Sequence, residues 1–280
     1  MTPLTHQDVL AHQLAVPWPS QRQVEQDLLL CRAMAAIFDD PFLRAQVAMR
    51  GGTLLHKVYL APAARFSEDI DLVVVGDRPE DHIRKALRRV LADVLGAPKT
   101  SAWNAIALAV RNQARPFRIL RMTYAISSAS TPGASLQIVV EANVTERRSH
   151  RPLMAMPFEF PFRDGAVKAI VVGYDINEML GTKMRALFQR RRGRDLFDLY
   201  YALTLAKPAV DPDAVVESFL HYLRQEGTTA SRSEFVSHLE SHLADAGFLS
   251  DTEYLLRQGV EYDPVVAGAY VTENLLNRLP

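Results

Sequence analysis

Two acidic residues separated by one apolar residue interrupt a run of β-forming residues, 66–75, and this feature restricts the fold most. Successive side chains of a strand point to opposite faces, so Asp69 and Asp71 share one face while Ile70 and Leu72 enter the core. Two neighbouring carboxylates repel each other unless a cation lies between them. Mg²⁺ prefers carboxylate oxygens together with substrate phosphates. The run predicts a strand that holds a metal and a phosphate-bearing ligand, although the tripeptide alone is more often a solvated strand edge.

The glycines upstream strengthen this prediction. Gly51-Gly52-Thr53 precedes a short stretch with a helical apolar pattern. Glycine permits close approach to the backbone, and free N–H groups at a helix N-terminus attract phosphate. A Gly-Gly pair alone usually marks a turn, but the pair followed closely by a helix and an Asp-x-Asp strand is far more specific for phosphate binding.

Composition excludes several classes of protein. The 280 residues include 32 basic and 32 acidic residues, which argues against indiscriminate coating of nucleic acid but leaves a local basic groove open. Cys31 is the only cysteine, so an internal disulfide is excluded. No apolar run reaches the roughly 18 residues of a membrane span, and no signal peptide begins the chain. We therefore expect a cytoplasmic protein without a membrane partner.

The patterning divides the chain into a mixed α/β domain, residues 1–172 with N-terminal helices, and a helical C-terminal domain, residues 173–280. Helices of the first domain are predicted at 21–38, 41–50 and 79–95, with a short helix from Thr53. Its strands are predicted at 66–75, 105–111, 118–126 and 136–144. The Pro-rich passage 151–162 is predicted as loop or edge strand. The second domain has predicted helices at 176–190 and 195–206, and a helical pattern over 211–280.

Glu141 is the candidate third carboxylate. It interrupts the apolar run 138–140 near a strand end, where a charge costs free energy unless it meets a cation. A third acid completes a two-metal clamp or deprotonates an attacking hydroxyl. The alternative is a surface-facing glutamate at the strand terminus.

Four motifs in order resemble the AbiEii/AbiGii family, nucleotidyltransferase toxins of type IV toxin–antitoxin and phage-abortive-infection systems. The resemblance covers residues 45–205. The motifs are Gly51-Gly52-Thr53 with Arg65-Phe66-Ser67-Glu68-Asp69-Ile70-Asp71-Leu72, then Val140-Glu141-Ala142-Asn143, then residues 178–187, and finally residues 194–199.

The resemblance implies an α+β fold, with a polymerase-β-like core of mixed sheet and flanking helices followed by an all-α C-terminal region. It implies Mg²⁺-dependent use of a nucleoside triphosphate, an RNA acceptor (tRNA in characterised relatives) and a cognate antitoxin encoded nearby. Asp69, Asp71 and Glu141 are then metal ligands and catalytic carboxylates; polymerase-β-like enzymes often have Asp in the third place. The implied nucleotide contacts are Gly51, Gly52, Thr53, Ser67 and Lys183.

Lys183 and two later aspartates are further candidates. Lys183 lies three residues from Leu180 and four from Leu187, hence on an apolar helix face. Such a lysine extends to solvent or meets a buried anion, and the expected triphosphate favours phosphate contact. Asp195 as N-cap and Asp198 in the first turn describe an ordinary helix start. The resemblance equally implies a catalytic role, in which one of them orients Lys183 or an arginine.

The segment Arg190-Arg191-Arg192-Gly193-Arg194 is the strongest local basic cluster. Because arginine binds phosphate in bidentate fashion, Arg190, Arg191 and Arg192 are predicted RNA contacts. A solvated inter-helix loop is the alternative. Two other activities stay open: nucleotide transfer to a small-molecule hydroxyl, against which this cluster counts, and nucleotide binding without catalysis, against which the intact acidic residues and lysine count.

Overall fold

The computed structural model describes residues 3–16, 18–107, 116–205 and 209–280. Two compact units are present. The first comprises Met1–Ser149 and Leu153–Tyr174, and the second comprises His150–Pro152 and Asp175–Pro280. No helix in the described ranges is long and apolar enough to cross a membrane.

The first unit is built on a seven-stranded mixed sheet of order β3-β4-β5-β2-β1-β7-β6. The pairs β2–β5 and β1–β7 are parallel, and the others are antiparallel. The strands are β1 (Val47–Arg50), β2 (Asp69–Val74), β3 (Thr100–Ala107), β4 (Pro116–Ser127), β5 (Ser135–Asn143), β6 (Met154–Phe162) and β7 (Gly165–Gly173).

Within the described residues, five helices accompany this sheet. They are α1 (His6–Ala15), α2 (Gln21–Asp39), α3 (Pro41–Gln46), α4 (Gly51–Leu54, continued by a π-helical turn Leu55–Tyr59) and α5 (Glu80–Leu95). Thr5 and Ser20 form capping boxes that satisfy the first N–H groups of α1 and α2. Most of α2 is buried, because it packs against both β7 and α5.

The second unit is helical. Its helices are α6 (Ile176–Gln189), α7 (Gly193–Thr204), α8 (Pro212–Gln225), α9 (Arg232–Leu243), α10 (Ala246–Ser250) and α11 (Pro264–Asn274), followed by a 3-10 turn Leu276–Arg278. The buried Glu178 of α6 accepts hydrogen bonds from the backbone N–H groups of His150 (2.7 Å) and Arg151 (2.8 Å) and from the Tyr222 hydroxyl. These bonds attach 150–152 to this unit.

The α+β class and the helical C-terminal region are as predicted, but the prediction of a helix over 41–50 is wrong in its second half. Helix α3 ends at Gln46, and Val47–Arg50 is a strand between β2 and β7. Its first three residues are fully buried in the sheet, so tertiary packing overrides local helix preference. Helix α1 and strand β7 were not predicted. The passage 151–162 contributes an edge strand, β6, and residues 108–111 of the predicted strand 105–111 lie outside the described residues.

Candidate active site

Four charged residues form one row across β1, β2, β5 and β4, called here the charged row. Arg50 lies opposite Asp71, Asp71 opposite Glu141, and Glu141 opposite Arg121. Asp69 precedes Asp71 by two positions on β2 and therefore shares its face. Three carboxylates are thus collected on one face of two neighbouring strands, with an arginine at each end of the row.

Burial and neighbouring carboxylates disfavour the charged forms of Asp69 and Glu141. Loss of hydration, together with the like charges of Asp71, Glu68 and Glu141, raises the pKa of Asp69 to about 7. The side chain of Asp69 nevertheless remains accessible at the end of the strand. Burial also raises the pKa of Glu141, with a further contribution from Asp71. A divalent cation would relieve this repulsion.

Glu141 is already paired. Its Oε1 accepts a hydrogen bond of 2.8 Å from Nη1 of Arg121. Within the described residues, the ligand atoms of Asp69, Asp71 and Glu141 do not all lie within 4.8 Å of one another. A metal ion shared by all three therefore requires at least one of these side chains to move.

A different group, His12, Asp27 and Cys31, does meet that spacing. His12 Nε2 lies 2.8 Å from Asp27 Oδ2, and the Lys57 ammonium pairs with the other oxygen. Burial alone would raise the pKa of Asp27, but Lys57 and His12 lower it to about 2, while burial raises the pKa of Cys31 to about 12. An internal cation already satisfies the carboxylate, so this cluster connects α1 to α2 rather than holding a metal.

The first glycine of the Gly-Gly pair lies against the acidic site. Gly51 has φ +80°, and a Cβ there would overlap Oδ2 of Asp71 and lie 2.8 Å from its Cγ. Any side chain at this position therefore displaces the Asp71 carboxylate and also strains the backbone.

The next residues connect the helix start to β2. A Cβ on Gly52 would lie 2.7 Å from Nη2 of Arg65 and 3.1 Å from Oγ of Ser67. The Thr53 hydroxyl lies 2.8 Å from Ser67 Oγ and also reaches the backbone oxygen of Asp69. The helix start, Ser67 and the Asp69 backbone are thereby held together.

Arg50 was not predicted as a site residue. Its guanidinium forms a buried ion pair with Glu146, whose carboxylate also lies 3.5 Å from Nδ2 of Asn143. Burial disfavours the charge, but Glu146 and Asp71 raise the pKa of Arg50. The sequence places Arg50 immediately before Gly51, but only the pairing of β1 with β2 places it beside Asp71.

The second unit brings together the remaining predicted residues. Lys183 Nζ lies 3.1 Å from Asp195 Oδ1 and 2.8 Å from Asp198 Oδ2. Arg190 donates to both oxygens of Asp195, at 2.7 and 3.0 Å. Both aspartates are fully buried. Burial raises the pKa of Asp195, but Lys183 and Arg190 lower it below its usual range.

The prediction that Asp195 is an N-cap is wrong. Helix α7 begins at Gly193, with Arg192 in the N-cap position and no side-chain cap. Asp195 lies inside the first turn and points inward, because Lys183 and Arg190 supply the cations that a buried carboxylate requires.

The other arginines of the basic cluster also have acidic partners. Arg191 pairs with Asp245 at 3.3 Å, and Arg192 with Asp251 at 3.7 Å. Arg194 donates its backbone N–H to Asp251 at 3.0 Å. The side chains of Arg191 and Arg192 are about half exposed, and Nη2 of Arg191 also lies 3.5 Å from Oγ of Ser241.

Comparison with known proteins identifies the family. The family model for the nucleotidyl transferase AbiEii toxin of type IV toxin–antitoxin systems matches residues 32–264. The chain belongs to the AbiEii family. This AbiEii-family protein is accordingly a nucleotidyltransferase of the toxin class, as predicted. A search of curated protein sequences gives no match.

Two solved structures are similar to this chain. MenT4, a nucleotidyltransferase toxin from Mycobacterium tuberculosis H37Rv, is similar with a TM-score of 0.64 and 17% identity, over 99% of this chain and 91% of MenT4. An antigenic nucleotidyltransferase-like protein from Paracoccidioides brasiliensis matches with a TM-score of 0.38 and 16% identity, over 79% of this chain and 92% of that one. The first match confirms the nucleotidyltransferase fold of the AbiEii-family chain.

Proposed function

We propose that this AbiEii-family protein transfers a nucleotide from a nucleoside triphosphate to an RNA acceptor, tRNA, in an Mg²⁺-dependent reaction. It acts as the toxin of a type IV system whose cognate antitoxin is encoded nearby, and it works in the cytoplasm. The observation that carries this proposal is the juxtaposition of Asp69, Asp71 and Glu141 beside Gly51.

The donor set fits Mg²⁺. Asp69 and Asp71 offer carboxylate oxygens on one face, and Glu141 adds a third oxygen donor from the adjacent strand. Burial, and then repulsion by Asp71, raises the pKa of Asp69. When bound, Mg²⁺ neutralises triphosphate charge and makes an attacking hydroxyl more acidic. Glu141 also has a pKa raised by burial, which suits a group that accepts the proton of that hydroxyl.

The nucleotide contacts follow from the helix start. Gly51 and Gly52 add no side chain of their own at this helix start, and Thr53 and Ser67 add hydroxyl groups. Lys183 remains a proposed nucleotide contact, although its ammonium already binds two carboxylates. Its ammonium has three N–H donors, of which Asp195 and Asp198 take two, so one is left for a phosphate oxygen.

For the acceptor, Arg191 and Arg192 are the favoured RNA contacts of the second unit. The pair of Arg191 with Asp245 is exposed and is weak enough to exchange for phosphate. Arg192 pairs at 3.7 Å with the buried Asp251, which also accepts the backbone N–H of Arg194. Arg190 is a poorer candidate, since it neutralises the fully buried Asp195.

A small-molecule hydroxyl is the second candidate acceptor. The acidic partners of Arg190, Arg191 and Arg192 and the net charge of zero favour it, because both reduce the positive field that RNA would meet.

The deciding experiment incubates the protein with total tRNA, Mg²⁺ and each labelled nucleoside triphosphate in turn. We expect one triphosphate to label tRNA, and the label to disappear with EDTA or with Asp71→Ala. Asp77→Ala, at an exposed aspartate beyond the end of β2, is the matched control and should label tRNA normally. Absence of label with all four triphosphates would exclude tRNA as acceptor.

A further inference from the structure

The two arginines of the charged row are held differently. Arg50 is paired with Glu146, outside the row, and their side chains are only 19% and 7% exposed. Arg121 is 44% exposed, and its partner is Glu141 itself, at 2.8 Å. Arg50 is therefore anchored independently of the site, whereas Arg121 binds directly to one of the carboxylates that face the metal site.

Arg121 neutralises Glu141 before any metal arrives. The row contains two acids and two arginines, in the order Arg50, Asp71, Glu141, Arg121. Asp69 is the additional acid on the same face. A divalent cation entering at Asp69 and Asp71 would be repelled by the Arg121 guanidinium as long as that guanidinium is bound to Glu141.

The same carboxylate cannot serve both cations fully. Directly opposed residues of antiparallel strands lie within reach of each other, which keeps the Arg121 guanidinium on Glu141 in the absence of a competitor. A pair as exposed as this one is weak and is screened by salt, so Arg121 can leave at small cost. Arg50 is held more firmly, because its partner Glu146 is buried and breaking a buried pair is costly.

We propose that Arg121 is an exchangeable counter-cation for Glu141. It neutralises Glu141 in the metal-free protein and releases it when the divalent ion binds, so it is a positioning residue that competes with the metal. This inference rests on the metal site proposed above. The dependence of metal affinity on Arg121 is its measurable consequence.

The test is a titration of the metal-free protein with Mn²⁺, followed by electron paramagnetic resonance of the free ion, at about pH 8.5 to keep Asp69 ionised above its pKa of about 7. Arg121→Gln should bind Mn²⁺ about two- to fivefold more tightly, as expected for removing a weak competing ion pair. Arg121→Lys should behave like the wild type. Arg118→Gln removes an exposed charge from the opposite face of β4 and is the matched control, with little change expected.

A double variant separates competition from a general charge effect. In the Glu141→Gln background, Arg121→Gln should no longer tighten Mn²⁺ binding, because the contested carboxylate charge is gone. The proposal is overturned if Arg121→Gln leaves Mn²⁺ affinity unchanged or weakens it, or if the gain persists in that background. Asp71→Asn distinguishes this failure from failure of the metal site itself. If Asp71→Asn binds Mn²⁺ like the wild type, the metal site is misplaced and both proposals fall; if it loses binding while Arg121→Gln has no effect, only the role of Arg121 falls.

Discussion

Asp71 on β2 lies directly opposite Glu141 on β5, in a parallel strand pair whose members are separated by more than 60 positions in the chain. This pairing places the third carboxylate beside the Asp-x-Asp pair and raises the pKa of Glu141 beyond the effect of burial alone. The same row continues to Arg50 and Arg121, so each carboxylate of the pair has an arginine on its outer side.

Gly51→Ala should abolish nucleotide transfer. A methyl group would displace the Asp71 carboxylate, and the φ of +80° adds strain of about 1–2 kcal/mol for an L-residue. Gly133→Ala is the matched control, since Gly133 has φ +79° but no atom within 4 Å of its Cβ position. Both variants should lose a similar free energy of unfolding from strain, but only Gly51→Ala should lose activity. Equal activity in the two would contradict the close approach.

Asp69→Asn should stabilise the metal-free protein at high pH. The pKa of Asp69 is raised from 3.8 to about 7, so the folded state holds its proton more tightly than the unfolded state. The free energy of unfolding of the wild type therefore falls as pH rises through this window, and the advantage of the variant should grow from pH 4 to pH 8. Denaturant unfolding in EDTA measures it, with Asp77→Asn as control. A pH-independent difference would refute the raised pKa.

Added Mg²⁺ should make the wild type more stable than Asp69→Asn. The ion stabilises the wild type by binding its folded state, and the variant offers it one carboxylate ligand fewer.

Glu141→Gln keeps the shape of the side chain but removes its charge. We expect turnover to fall by about 10²- to 10⁴-fold, with only a modest loss of triphosphate binding, as for removal of a general base. Glu159→Gln changes an exposed glutamate of β6 and should leave turnover intact. Turnover is measured by steady-state kinetics. A fall in turnover of less than about threefold would indicate that Glu141 is a surface residue rather than a general base.

Lys183→Met should destabilise the second unit by about 3–5 kcal/mol, because it removes a cation from two fully buried carboxylates. Adding Asp198→Asn should restore part of this loss. Lys168→Met, at a largely exposed ion pair with Glu159, is the control and should change thermal unfolding little. Triphosphate binding is then measured in the restored double variant. Normal binding there would show that Lys183 acts only in folding.

Arg191→Gln with Arg192→Gln should weaken RNA use while leaving triphosphate binding intact. For every arginine–phosphate ion pair that is removed, the salt dependence of RNA binding should fall by about one unit of slope. Arg190 is retained because its removal would expose the buried charge of Asp195. The control is Arg224→Gln with Arg278→Gln, two arginines of the same unit. RNA titrations across a salt series that match the wild type would place the RNA surface elsewhere.

The sequence alone determined those features that depend on neighbouring residues. Alternation along a strand is a local property of the backbone, so the β2 strand and the shared face of Asp69 and Asp71 could be predicted from spacing. Helix α5 was predicted within one residue because its apolar period and its flanking Pro79 and Gly96 are local signals as well. The four ordered motifs led to the family.

Tertiary structure alone decided which of these elements become neighbours. Val47–Arg50 is a strand only because β2 and β7 lie on either side of it, and Asp195 points inward only because Lys183 and Arg190 reach it from α6 and the segment that follows. Likewise, nothing near Arg121 in the sequence connects it to Glu141. Strand order and register follow from burial of the whole sheet, a sum over contacts distant in sequence, and residue periodicity within one segment carries no information about it.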